Sequence, residues 1–135
     1  MNFKDTLKIN DKNHLEIGGV DTVELVNKYS TPLYVMDESY IRSVCRAYKN
    51  TIDKEYGYGN CAYASKAFSC AAIYKVMKEE GMCIDVVSGG EIYTALKAGF
   101  DLKNAYFHGN NKLESELEWN RRYPWSVCSG IDKRN

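Results

Sequence analysis

Three short apolar runs end on side chains that can do chemistry. Lys66 closes the apolar part of "NCAYASKAFS" (60–69), Asp85 lies in "MCIDVVSGGE" (82–91), and His108 follows "NAYF" and opens "HGNNK" (108–112). A lysine at such a position has two readings. Its ammonium can snorkel to water on its apolar stem. Alternatively, partial desolvation disfavours the charged form and frees a nitrogen lone pair to attack a carbonyl carbon. A carboxylate such as Asp85 could orient that amine or stabilise its charge. His108, Asn110, Asn111 and Lys112 would line a pocket at the same rim, or else be ordinary loop polarity. Ser88, Gly89, Gly90 and Glu91 read as shaping a strand-to-helix turn; the "SGG" of residues 88–90 also resembles an anion-binding nest of backbone amides, but no phosphate is placed there.

These residues share a rim only if the runs are parallel strands, and the pattern of elements supports that. Residues 1–20 read as an irregular or extended lead-in. Asp21 and Glu24 have capping-box spacing ahead of Val23, Leu25 and Val26, so a helix is expected to about Tyr29. Pro32 suits the first residue of a strand over Leu33–Met36, and Asp37 can cap the next helix, whose Ile41, Val44, Cys45 and Tyr48 share a face. "EYGYGN" is a turn. Strands follow at Cys61–Ala64, "MCIDVV" and "NAYFH". Helices lie between them, stopped by Gly81 and Gly99, and "LESELEWN" is a further helix. From the second strand on, the strands recur about every 22 residues. Such alternation implies parallel strands with crossover helices, and short apolar strands fit a sheet covered on both faces. Ligands then gather at the strands' C-terminal ends. Periodicity does not choose between a barrel and an open doubly wound sheet.

Bulk properties narrow the function. The 135 residues carry 18 Lys plus Arg against 18 Asp plus Glu, a formal net charge of zero, which argues against a basic nucleic-acid or membrane-binding face. No apolar run approaches the roughly 18 residues of a membrane span, and the N-terminus has no signal-peptide core; the expected location is the cytoplasm. The five cysteines form no CxxC pair and read as reduced, mostly buried thiols. With two histidines, a zinc site is poorly supplied. There is no GxSxG elbow and no GxGxxG, so a serine hydrolase and an open-sheet nucleotide binder are weak alternatives.

"TPLYVMDE", "YASKA", "DVVSGGEIYTALKAGF" and "FHGNNK" occur in that order. Together they resemble the N-terminal part of the diaminopimelate decarboxylases, members of the alanine-racemase-like, ornithine-decarboxylase-like pyridoxal-phosphate enzymes. The resemblance runs from about Leu15 to about Glu118. It implies an α/β fold: part of a (β/α)8 TIM barrel, about four βα units, with the family's C-terminal β domain absent. It implies that Lys66 is the catalytic lysine, binding pyridoxal 5'-phosphate through an imine that the substrate amine displaces. It implies that Asp85 and His108 contribute to the cofactor site, that no metal is needed, and that the reaction releases carbon dioxide from meso-diaminopimelate to give L-lysine. Full-length members are expected to be homodimers. Related decarboxylases or racemases acting on ornithine, arginine or alanine are the alternatives, as is a non-catalytic cofactor-binding or interaction module.

The chain also departs from the pattern. Residues 1–119 are expected to form the N-terminal part of the cofactor-binding barrel domain. Residues 120–135, "NRRYPWSVCSGIDKRN", read as an atypical tail in which the family's continued helix and valine-rich strand are not apparent. A frameshifted or prematurely ended reading frame, or a fragment, would produce it. The phosphate-binding glycines, the partner of the pyridine nitrogen and the distal substrate residues have no counterpart, which implies an incomplete, inactive form. An incomplete barrel also has open edges, so the expectation is poor folding, or folding only as an oligomer.

Overall fold

A computed structural model describes residues 6–109, 112–122 and 126–127. The chain divides into two compact units, Met1–Tyr48 and Lys49–Asn135.

Of the two expectations for the lead-in, irregular or extended, the first unit shows the extended one, organised into a sheet. β1 (Leu7–Ile9), β2 (Leu15–Ile17) and β3 (Val20–Asp21) form an antiparallel sheet in the order β1-β2-β3. The strands are short and the turns are polar, so apolar periodicity gave little signal. Asn10 organises the first turn. Its side-chain oxygen accepts from the amides of Lys12 and His14, each at 3.0 Å. The second turn is Gly18–Gly19, with φ of +58° and +83°, the left-handed pair a two-residue hairpin requires. A Cβ on Gly18 would lie 3.0 Å from Asp37 Oδ1, so a larger residue there would press on that carboxylate as well as strain φ. Helix α1 (Thr22–Tyr29) follows and is capped by Asp21 as expected. It buries none of its residues, however, and Val23 and Val26 remain exposed.

Leu33–Met36 is not a strand. It pairs with nothing among the described residues, and Tyr34 is 94% exposed. β-propensity records fit to a half-buried pleated surface, and without a ladder partner the apolar pattern alone does not make one. Asp37 does cap the next helix, α2 (Glu38–Tyr56), accepting from the Tyr40 amide at 3.0 Å. Cys45 is its buried residue; Tyr48, expected on the same inward face, is 59% exposed.

In the second unit β4 (Ala62–Ala64), β5 (Cys83–Val86), β6 (Ala105–Phe107) and β7 (Ser126–Val127) form a parallel sheet in chain order. Helices α3 (Ala71–Glu79), α4 (Gly89–Lys97) and α5 (Glu114–Arg122) make the crossovers. Gly81 and Gly99, φ +65° and +73°, end α3 and α4 as expected. Two features differ from the expected tail: α5 runs on to Arg122, and β7 pairs with β6. The strand was hidden because only two residues enter the ladder.

Register sorts the sheet into two faces. Ile84 lies beside Ala105, and Val86 beside Phe107; all four are at most 1% exposed. With Ile73, Val76 and Met77 of α3 and Ile92 and Ala95 of α4 they make the core. Each large side chain there contributes about 1.5–3 kcal/mol by burial. Ala64, Asp85 and Tyr106 share the other face, where Ala64 is exposed and Asp85 and Tyr106 are half-buried. Among the described residues the sheet is therefore fully covered on one face; on the other Cys83 is buried while Asp85 and Ala64 stand more open. Tyr63 and Ala64 point to opposite faces.

Two measurements test these local structures. Asp21 Oδ1 accepts from the amides of Val23 (2.8 Å) and Glu24 (3.4 Å), and Oδ2 accepts from Asn10 Nδ2 and His14 Nδ1, both at 2.9 Å. Burial pushes the carboxyl pKa up, but hydrogen bonds from His14, Asn10, Val23 and Glu24 outweigh it and hold it below the ordinary carboxylate range. Its contribution to stability is complete above that ordinary value and is lost as pH falls through the lower folded one; urea unfolding at a series of acid pH values should show this loss, and Asp21→Asn should flatten it. In α4, Ser88 Oγ accepts from the Glu91 amide at 3.3 Å. Replacing that N-cap, Ser88→Ala should cost about 1 kcal/mol and Ser88→Gly only a few tenths, read from the same unfolding curves.

Candidate functional site

The parallel sheet brings Asp85 and His108 together. Asp85 is the third residue of β5, in register with Ala64 of β4 and Tyr106 of β6. His108 follows β6 directly, and its amide donates to the Val86 carbonyl at 2.9 Å, extending the ladder by one step. From that position its Nδ1 meets Asp85 Oδ1 in a hydrogen bond. Both side chains are partly open to solvent, His108 47% and Asp85 28% exposed. A carboxylate at Nδ1 favours the tautomer with its proton there, which leaves Nε2 as the acceptor facing outward.

Lys66 sits at the neighbouring strand end. It lies in a 3-10 turn, Ser65–Ala67, immediately after β4, not within the strand. The desolvation considered for this amine is not supplied by the described residues: Lys66 is exposed, while Ser65 before it is buried. The Ser65 hydroxyl has no hydrogen-bond partner among the described residues. The Tyr63 hydroxyl donates to the Phe68 carbonyl at 2.8 Å, closing a clasp across the turn. No hydrogen bond or ion pair joins Lys66 to Asp85 or His108 among the described residues; the Asp85 carboxylate is turned toward the imidazole instead.

The other rim residues divide. Lys112 Nζ folds back to the Gly109 carbonyl at 2.7 Å and lies 5.5 Å from the centroid of the Phe107 ring. Asn110 and Asn111 fall outside the described residues. The "SGG" amides are not an open nest, because a carboxylate of the chain already occupies the start of α4. Gly89 N–H donates to Glu116 Oε1 at 2.7 Å, and Glu91 Oε2 accepts from the Val87 amide at 2.8 Å. Glu116 is the residue that reading the sequence missed. It stands three residues after Leu113, the spacing of a capping box, but an apolar residue at the cap position hid the signal. Among the described residues no group of three or more His, Cys, Asp or Glu side chains could hold a metal ion, and no helix is long and apolar enough to cross a membrane.

An amine and a carboxylate–imidazole pair at adjacent strand ends suit chemistry on a carbonyl compound bound at the rim, with Lys66 as nucleophile and His108 as a proton carrier. The chain is similar to known proteins along most of its length. The family described as pyridoxal-dependent decarboxylase, pyridoxal binding domain, matches residues 39–124. The chain is 57% identical over 118 residues to the diaminopimelate decarboxylase of Bacillus methanolicus, covering 87% of this chain and 27% of that protein. Against that of Bacillus subtilis (strain 168), identity is 49%, with 83% and 26% covered. The solved structure of diaminopimelate decarboxylase from M. jannaschii, in co-complex with L-lysine, superposes with a TM-score of 0.77 at 35% identity, over 93% of this chain and 30% of that one. The chain thus spans about a quarter of the length of the curated relatives it matches, and its parallel sheet and crossover helices are the N-terminal part of their α/β barrel. The chain belongs to the pyridoxal-dependent decarboxylase family, through its pyridoxal binding domain.

Proposed function

We propose that this chain supplies the cofactor lysine of a decarboxylase that converts meso-diaminopimelate to L-lysine, with pyridoxal 5'-phosphate bound at Lys66. The observation that carries this reading is an accessible primary amine at a parallel strand end, beside the Asp85–His108 pair, in a chain 57% identical to a diaminopimelate decarboxylase.

The residues present fit the aldehyde end of the cofactor. Lys66 is exposed on a turn whose ends the Tyr63–Phe68 hydrogen bond ties together, so its backbone is fixed while its amine is free to react. When bound, pyridoxal phosphate supplies a ring that takes up the electron pair left as carbon dioxide departs. Asp85 holds the His108 imidazole in one tautomer, and Nε2 of His108 is then free to accept or return a proton at the rim. The cofactor phosphate is not assigned to the start of α4, where Glu116 already accepts from Gly89 N–H.

In this reading residues 1–119 are the N-terminal part of the barrel domain and 120–135 a tail into whose first part α5 and β7 carry the barrel pattern. Homodimerisation and a cytoplasmic location belong to the same proposal and rest on the family resemblance.

Borohydride reduction in the presence of pyridoxal phosphate, followed by peptide mass spectrometry, should place the adduct on Lys66. Lys66→Ala should abolish it, and an adduct on another lysine would remove Lys66 from the role. Carbon dioxide release from meso-diaminopimelate, compared with ornithine and arginine, tests the substrate.

A further inference from the structure

We infer that Tyr63 is a positioning residue for Lys66: its hydroxyl holds the turn that carries the lysine in the setting that puts Ser65 inward and the amine outward. The inference rests on the cofactor reading above.

The turn is anchored unevenly. On its N-terminal side the ladder fixes it, because Ala64 is the last residue of β4 and lies in register with Asp85 of β5. On its C-terminal side the next regular element is α3, whose Tyr74 is fully buried, with its hydroxyl 2.9 Å from Ser69 Oγ. Between these, Ser65–Ala67 is one 3-10 turn, and no side chain caps it at Ala64. A single turn of this kind is weakly bonded, and its successive residues project about 120° apart. With Ser65 at 0% exposure, Lys66 is carried out to solvent; a partial unwinding would move both.

Burial of Ser65 does not hold that setting by itself. Its hydroxyl has no hydrogen-bond partner among the described residues, and burying an unpaired hydroxyl is unfavourable. The Tyr63 hydroxyl works against that cost by donating to the Phe68 carbonyl at 2.8 Å. Tyr63 is itself in the ladder, in register with Ile84. Its side chain therefore ties the less supported end of the turn back to the strand. A neutral hydrogen bond shifts a local open–closed balance by about two- to tenfold, and a reactive group keeps its productive geometry through such supports around it.

The test uses the 135-residue chain and two readouts. Nitrogen relaxation of the Lys66 and Ala67 amides reports the turn and involves no cofactor. The rate of adduct formation with pyridoxal 5'-phosphate, quenched by borohydride and read lysine by lysine in a peptide map, reports the amine. Tyr63→Phe keeps the ring and removes the donor. It should lower the amide order parameters from about 0.85 towards 0.6 and slow labelling of Lys66 by about two- to tenfold, with the rates at other lysines as in wild type. Adding Ser65→Ala removes the unpaired hydroxyl and should restore part of both, which it would not do for a general loss of packing. Tyr34→Phe, at a 94% exposed tyrosine in the other unit, should change neither. If Tyr63→Phe leaves the order parameters as in wild type, or lowers them while Lys66 labels at its wild-type rate, the positioning role is overturned and the cofactor reading stands. If the wild-type adduct lies on another lysine or on none, the cofactor reading falls and the role with it. Should Tyr63→Phe fail to fold, Ser65→Ala alone decides: the order at Lys66 should hold or rise, and a fall overturns the role.

Discussion

The hydrogen-bonded ladder on both sides of β5 is the constraint on which the rest depends. Cys83–Val86 is paired with β4 on one edge and β6 on the other, so its register is fixed twice. Alternation along the strand then sends Ile84 and Val86 into the core and Asp85 to the open face. A slip by one residue would put the carboxylate among Phe107, Ala105 and the α3–α4 side chains. Burying an unpaired charge costs far more than the sheet could return. The chemistry at the rim and the stability of the core are therefore set by one alignment. Cys83, at the other end of the strand on the Asp85 face, is buried: burial pushes its thiol pKa up, with a hydrogen bond to Tyr106 opposing that.

Much of this was legible before any coordinates. The parallel α/β order, the caps at Asp21, Asp37 and Ser88, and the glycine stops at Gly81 and Gly99 are local signals, and local geometry honours them. The errors share another cause. Leu33–Met36 has strand composition but no partner in a ladder. The strands β1–β3 are polar and brief, and they are held by Asn10 and the Gly18–Gly19 turn, not by an apolar stripe. β7 contributes two residues. Strands are made by pairing across the sequence, which no window of residues displays.

The site was legible to a similar degree. Strand ends supplied Asp85 and His108, and the structure joins them. The burial expected at Lys66 is missing because β4 is an edge strand among the described residues, exposed on the face it shares with Asp85. The glycine pair after Ser88 looked like an anion site because composition marks where amides are bare. It does not reveal a carboxylate arriving from a helix 27 residues later. The family match strengthens the assignment of the segment, while the chain's own hydrogen bonds decide which of its groups remain available.

The Tyr63–Phe68 clasp has a consequence for reactivity. A lysine at the end of a loose loop samples a large volume, and each encounter with a bound aldehyde is then a rare event. Here six residues, Tyr63 to Phe68, are drawn into a ring at their base, and only the four-carbon stem of Lys66 remains to be ordered. In the proposed role, restricting the search this way would raise the effective molarity of the amine at the rim, and the stem's own rotations would set the speed of capture and release.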